Sequence, residues 1–388
     1  RRSTLEFDPQ ILKRYVNFMS NPDERTAVDQ FGTGDKYFGV ATVLATMPGL
    51  PMLGHGQIEG LEEKYGMEFQ RPHWHERPNE GLVWRHELQI FPLLRRRAIF
   101  AEVENFLLYD LVRDDSSVDE NVFAYSNQVD GERSLVIYNN RYGETTGTLR
   151  LSTAVAKPSG GEEDELVRTP LAEGLGLPAD DSWVIARDIV TGLEHLWSTR
   201  RLHDGGFPCR LGAYALHCFL DFKVELSDDD HPYEQLAERL GDRGVPSIDN
   251  ALGQWVMAPV VEPLRRMTPP EVLELLAADA SFDAAAGDLR ELAVTEVARL
   301  VDAAAERVGA LEQAREVERS IHIDLEAALA LGGVERTTDG ANEGPRPLAP
   351  APSSPQEWLL VIGWILVRHL GSLDAAGDPI ERSRTLFE

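Results

Sequence analysis

The apolar pattern changes character twice along this chain, and that order limits what it can fold into. Residues 1–113 mix helix-like and short strand-like apolar runs. Residues 114–228 carry short β-type runs separated by turn residues. Residues 229–388 are rich in Ala, Leu and acidic side chains at helical spacing. The expected fold is therefore α/β, then an antiparallel β-sandwich, then a helical C-terminal region. Residues 332–355, rich in Pro, Gly and polar side chains, read as a linker inside the last part. A chain of 388 residues is long enough for two or three such parts.

Within the first part, residues 12–19 are apolar and aromatic and end at Asn21-Pro22-Asp23, a strong stop signal. They predict a helix end followed by a short strand over 15–20. Residues 37–46 predict a helix, and 48–54 a turn into a short buried strand. A long loop runs to about residue 80. Residues 81–102 then place Leu82, Val83, Leu88, Phe91, Leu94 and Ile99 at helical spacing, with a kink or break expected at Pro92. The second part predicts strands over 121–127, 134–139, 146–151 and 183–188, and a closing strand over 213–222. Asp130-Gly131 is a hairpin signal. The third part predicts helices over 270–279, 287–314, 319–331 and 356–370.

Charge narrows the partners. There are 65 acidic against 38 basic residues, a formal net charge of −27. That balance argues against nucleic acid and against an anionic membrane, both polyanions. It suits a neutral partner such as a sugar, or serves solubility alone. The two cysteines, Cys209 and Cys218, have no metal-type spacing and make no disulfide framework. They read as reduced, buried thiols of a cytoplasmic protein. No signal peptide is recognised. The longest apolar run, residues 358–367, is about half of what a membrane helix needs and reads as a buried helix.

Four words carry a resemblance. Phe18-Met19-Ser20-Asn21-Pro22-Asp23-Glu24 places an acid just after a strand. Ala45-Thr46-Met47-Pro48-Gly49-Leu50-Pro51-Met52-Leu53-Gly54-His55-Gly56-Gln57 places a Pro-Gly-x-Pro turn before another strand. Glu62-Glu63-Lys64-Tyr65-Gly66-Met67-Glu68, with Arg71-Pro72 and Trp74 beyond it, forms a loop. Trp84-Arg85-His86-Glu87 leads to Arg95-Arg96-Arg97. In this order, and followed by β-type runs, they resemble the end of the catalytic barrel of the α-amylase family of glycoside hydrolases. The resemblance covers roughly residues 7–222. It implies the last strands and helices, numbers seven and eight, of a (β/α)8 barrel, then the β domain that follows it.

By that resemblance Asp23 matches the third carboxylate, which grips sugar hydroxyls and stabilises the transition state. Read without the family, Asn-Pro-Asp-Glu is a turn with a helix cap. The family has a sugar-binding His where this chain has Pro22, which cannot donate a hydrogen bond. Asn21, His55, Gln57 and Tyr65 are the substrate-binding candidates, with Trp74 a further ring on which a sugar could stack. For His55, a structural role is the alternative, and for the loop of Tyr65, packing on the barrel rim. The three arginines read as an anion patch or as a cluster favoured at a helix C-terminus.

Retaining glycosidases need a nucleophile and a general acid, both carboxylates. The family carries them in a Gly-x-Arg-x-Asp word and a later Glu, and neither word is in these residues. With an opening Arg1-Arg2-Ser3 that lacks Met, the chain reads as a fragment, inactive alone, whose nucleophile and acid lie upstream. The resemblance calls for no cofactor here; a Ca2+ ion would belong to the upstream part. The implied partner is an α-glucan or maltooligosaccharide, with no nucleic acid and no membrane. The competing reading is a non-catalytic glucan-binding or scaffolding member, suggested by Pro22.

Overall fold

A computed structural model describes residues 2–64, 71–157, 165–278, 282–337 and 352–373. The chain divides into two compact units, Arg1–Leu252 and Gly253–Glu388.

The first unit opens with α1 (Arg2–Phe7) and a 3-10 turn, Pro9–Arg14, in which the Gln10 N–H is capped by the Asp8 carboxylate. Then come β1 (Val16–Phe18), α2 (Ala27–Phe31), α3 (Asp35–Thr46) and β2 (Leu50–Met52). β1 and β2 pair in parallel, Val16 opposite Leu50 and Phe18 opposite Met52. Parallel strands need a crossover, and α3 supplies it. At Gly49, with φ of 103°, a Cβ would collide with the Tyr15 carbonyl oxygen, so the turn into β2 requires glycine. β2 is not the buried strand the sequence predicts. Leu50 is 62 % exposed, Val16 46 % and Phe18 45 %, whereas Asn17 on the opposite face is buried. Val16 and Phe18 share one face of β1, and that face is open.

The run expected as one helix over 81–102 is broken. It consists of α4 (Glu80–Arg85), a π turn (His86–Ile90), α5 (Phe91–Arg95) and α6 (Ala98–Ala101). The break expected at Pro92 takes the form of the π turn just before it, in which Phe91 donates to the His86 carbonyl. Proline lacks an N–H and crowds the carbonyl four residues back, and the widened turn accommodates both. The register shifts in consequence. Leu82, His86, Ile90 and Leu93 are buried, and Leu88 is exposed. Arg97 is not part of an anion patch. Its guanidinium donates to the carbonyls of Ala45 at 3.0 Å, Met47 at 2.8 Å and Gly49, closing the C-terminal end of α3. Arg96 pairs with Glu132 and Asp221.

Ten further strands follow: β3 (Leu107–Val112), β4 (Val122–Val129), β5 (Glu132–Asn139), β6 (Thr145–Ser152), β7 (Val155–Lys157), β8 (Glu165–Val167), β9 (Trp183–Asp188), β10 (Glu194–Ser198), β11 (Phe207–Leu211) and β12 (Leu216–Glu225). β7 and β8 form a separate ribbon. The other eight make one antiparallel sheet in the order β10-β9-β12-β5-β4-β3-β6-β11. By hydrogen bonding this is one sheet, where the sequence predicted a sandwich. Register shifts between Tyr109 and Leu111 and between Leu220 and Lys223 interrupt the ladders, and such irregularities bend strands. The sheet begins at Leu107 rather than after residue 113. β12, expected to close the domain, lies between β9 and β5 in its interior. The hairpin at Asp130-Gly131 stands as expected, with φ of 50° and 84°.

Short helices α7 (Leu171–Gly174), α8 (Thr199–Gly205) and α9 (Tyr233–Leu240) complete this unit. Its α/β part and sheet share one apolar core that includes Tyr37, Phe38, Ile90, Phe100, Tyr125 and Tyr138. The Tyr125 hydroxyl bonds Thr46 Oγ1 at 2.6 Å, fixing the end of α3 to β4. Cys209 and Cys218 are free and buried, and burial pushes the Cys209 thiol up to about 12.

Helix α10 (Ile248–Met267) runs into the second unit, which contains α11 (Pro270–Ala277), α12 (Phe282–Val308), α13 (Ala314–Thr337) and α14 (Pro355–Leu370). Its core joins Leu289, Leu300, Ile321, Trp358 and Ile365. The predicted linker starts late. Residues 332–337 continue α13, because a glycine in a helix costs only about 1 kcal/mol against alanine. Among the described residues no helix is long and apolar enough to cross a membrane.

Candidate functional site

Because β1 and β2 are parallel, both loops that follow them leave from the same end of the pair. Those loops carry Asn21 and Asp23 on one side, and His55 and Gln57 on the other.

The first loop is held from within. Asn21 Oδ1 accepts the N–H groups of Asp23 at 2.9 Å and Glu24 at 2.8 Å. This is an Asx-type cap, and it uses the Asn21 oxygen. The Gln30 amide on α2 donates to the carbonyls of Met19 at 3.2 Å and Arg25 at 2.7 Å. Pro22, Asp23 and Glu24 are left exposed on the resulting bend.

In the second loop Gln57 is buried. Its Oε1 accepts from the Gly54 N–H at 3.0 Å, and its amide nitrogen lies 3.5 Å from the Met19 sulfur. The Gln57 carbonyl accepts from the Tyr37 hydroxyl at 2.7 Å. Tyr37 in turn lies 3.3 Å from His86 Nε2, and His86 Nδ1 is 2.9 Å from the Leu82 carbonyl. A carbonyl can only accept, so the proton sits on Nδ1. Burial holds the His86 pKa below its usual value, against the opposing pull of the Leu82 carbonyl and Glu59. Burial also raises the Tyr37 hydroxyl. His86 is a buried support beside the loop, its Nδ1 held by the Leu82 carbonyl and its Nε2 facing the Tyr37 hydroxyl. Its spacing from Leu82 and Ile90 was a signal for burial that the sequence reading passed over.

His55 is exposed at the loop surface. The two loops are joined where the Lys64 ammonium donates to the Asp23 carbonyl at 3.0 Å. Beyond Lys64, carboxylates organise the chain. Glu63 accepts the N–H groups of His73 at 2.7 Å and Trp74 at 3.0 Å, and Glu76 those of Glu62 at 2.7 Å and Glu63 at 2.9 Å. Partial burial pushes the Glu63 pKa up, but these backbone bonds outweigh it and leave it below the usual range. Trp74 stays exposed on this frame. Tyr65 lies outside the described residues.

Asp23 and His55 are thus exposed side chains on loops that leave the same end of β1 and β2. Asn21 and Gln57 stand beside them, with their side-chain oxygens already engaged. An exposed carboxylate can hold sugar hydroxyls, and an exposed ring a pyranose face. Among the described residues no group of three or more His, Cys, Asp or Glu side chains is arranged to hold a metal ion. An apolar cleft of about 660 Å³ opens along β1, lined in part by Val16, Phe18, Val43, Leu108, Phe123 and Thr153.

No protein-family model matches the chain, and no curated protein matches it in sequence. Solved structures do match it. The chain is similar to α-amylase family enzymes over about 55 % of its length. An Anoxybacillus α-amylase of a new glycosyl hydrolase subclass is 14 % identical, with a TM-score of 0.35, over 56 % of this chain and 39 % of that one. The α-amylase of Geobacillus thermoleovorans, solved with acarbose, is 11 % identical at a TM-score of 0.36, over 56 % and 40 %. A debranching enzyme from Nostoc punctiforme is 12 % identical at 0.32, over 55 % and 37 %. The matched part thus spans about two fifths of those enzymes.

Proposed function

We propose that this chain is the C-terminal part of a glycosidase or transglycosidase acting on α-linked glucans. In this reading residues 1–113 finish a (β/α)8 barrel, with β1 and β2 as its last two strands. The reading rests on one observation above all. The Asn21-Pro22-Asp23 word and the Pro48-Gly49-Leu50-Pro51 word lie on adjacent parallel strands joined by a helix, and both deliver polar residues to the C-terminal end. Catalytic groups of such barrels gather at that end.

Asp23 is the carboxylate that grips sugar hydroxyls, and His55 and Trp74 form pocket wall, with Tyr65 assigned there by its position in the same loop. Asn21 and Gln57 hold the loops that present them. The nucleophile and the general acid are assigned to upstream barrel strands, as is any Ca2+ site. Cleavage needs both carboxylates, so these residues alone do not hydrolyse a glycoside. The open apolar face of β1 and β2, and the cleft beside it, are supports of the same reading, because further barrel strands would cover them. Two free, buried thiols suit a reducing cytoplasm.

The test is turnover of a maltooligosaccharide by the native protein. Asp23→Asn is expected to lower kcat/KM by about a hundredfold or more, the scale of losing one group that stabilises a transition state. Unchanged turnover would remove Asp23 from the site. Pro22, which offers no donor where the family has one, favours a second reading: a glucan-binding member without turnover. Binding of maltoheptaose with no product release from the native protein would select it.

A further inference from the structure

The β domain carries a pair of aromatic rings that the strand-end site does not use. Tyr142 is 85 % exposed, more than any other large apolar side chain among the described residues. Its ring lies 6.2 Å from that of Tyr214, at an interplanar angle of 51°, so the two form an open V.

The pair is built rather than incidental. Tyr142 sits in the turn after β5 and Tyr214 in the turn before β12. Buried Asn139 ties the two turns together, its amide donating to the Gly143 carbonyl at 2.8 Å and the Gly212 carbonyl at 2.7 Å. The Tyr214 N–H donates to the Arg141 carbonyl at 3.1 Å. Tyr214 itself has φ of 53°, a left-handed backbone that a bulky residue adopts only when its surroundings impose it. The staple leaves Asn139 Oδ1 buried without a hydrogen-bond partner. Buried unpaired oxygens are rare and costly. Arg210 and Glu144, paired at 3.4 Å and both well exposed, stand on the neighbouring strand ends.

We propose that Tyr142 and Tyr214 form a second sugar-binding platform, on which a pyranose ring of a neutral oligosaccharide stacks while its hydroxyls meet Arg210 and Glu144. Two preset aromatic faces with a polar rim match a sugar, which has apolar faces and a polar edge. A net charge of −27 disfavours an anionic ligand for the same surface. The choice of an α-glucan as that oligosaccharide rests on the function proposed above.

The experiment uses the full 388-residue chain with ring-labelled tyrosine, titrated by NMR and calorimetry with maltoheptaose and, separately, cellohexaose. Maltoheptaose is expected to shift the Tyr142 and Tyr214 ring signals. Tyr142→Ala is expected to weaken binding roughly five- to tenfold, and Tyr142→Phe to retain it. Both variants sit at an exposed position and should melt with the parent. The platform is overturned if both sugars leave the two rings unmoved, or if Tyr142→Ala binds as tightly as the parent. Shifts with cellohexaose but not maltoheptaose would uphold the platform and overturn the α-glucan reading. Maltoheptaose binding that Asp23→Ala abolishes while the tyrosines stay silent would overturn the platform and leave that reading standing.

Discussion

The two-stranded and eight-stranded sheets of the first unit are made of similar apolar strands and end differently. In β5 the residues from Ser134 to Asn139 are all buried, on both faces, and α3 and α6 pack against the strand. In β1 and β2 Asn17 is buried, whereas Val16, Phe18 and Leu50 stand open. Composition does not separate the two cases; the number of partners does. A parallel pair normally sits within a larger sheet with both faces covered. Among the described residues the eight-stranded sheet has both faces of β5 covered, and the β1–β2 pair leaves one face open.

The comparison depends on α3 being fixed to the sheet, so the first way to break it is to pry them apart. A methyl group at Gly39 would occupy the space of the Tyr138 ring, which is itself held by the Lys36 carbonyl and Asn140. Gly39→Ala is expected to cost about 3 kcal/mol, at the upper end for overpacking. A urea midpoint reads this directly. A loss below about 0.5 kcal/mol would mean that the ring swings aside and that helix and sheet are only loosely joined.

A second prediction sharpens the sheet side. Asp188 on β9 is fully buried. It accepts from His217 Nδ1 at 3.0 Å, Thr191 Oγ1 at 3.0 Å, and the N–H groups of Cys218 and Val190, both at 3.1 Å. Burial pushes its pKa up, but His217 and the backbone donors outweigh burial and hold it below the usual 3.8. A carboxylate depressed in the folded state contributes stability that is present above its unfolded value and lost as pH falls through its folded value. The sheet should therefore lose stability below about pH 4. Asp188→Asn should cost about 2 kcal/mol at neutral pH and flatten that acid limb. An unchanged acid limb in the variant would take Asp188 out of the account.

What the sequence revealed, and what it hid, follows the same division. The strands at 122–129, 132–139 and 183–188 were legible because apolar and β-branched residues are bounded there by turn residues, with Asp130-Gly131 marking the hairpin. β3 was missed because it follows α6 almost directly and Asp110 interrupts its apolar run. β11 was hidden by Pro208, which is tolerated because β11 is an edge strand. At the candidate site the two strand-end words were readable as words. The engagement of Gln57 with Gly54, and the chain from Gln57 through Tyr37 to His86, were not. The Gln57–Tyr37 and Tyr37–His86 contacts link residues 20 and 49 positions apart, and no local pattern encodes them.

The smallest expected effect bears most directly on the comparison. Phe18 is at the end of β1 with its side chain about half exposed. Replacing an exposed ring removes little buried area, so Phe18→Ser should change the stability of this chain by less than about 0.5 kcal/mol. If upstream strands cover the open face, the same ring becomes core. The change should then cost on the order of 3–5 kcal/mol in the longer protein, as for other aromatic truncations in a packed interior. Denaturant midpoints of the variant in both lengths separate the cases. A small effect in both would mean that Phe18 faces water whatever precedes it, and the barrel assignment of β1 would fall. A large effect in this chain alone would mean that the face is already covered here, and that the contrast between the two sheets is not one of missing partners. Only a small cost in the short chain with a large one in the long chain fits a strand pair whose second face is supplied from outside these residues.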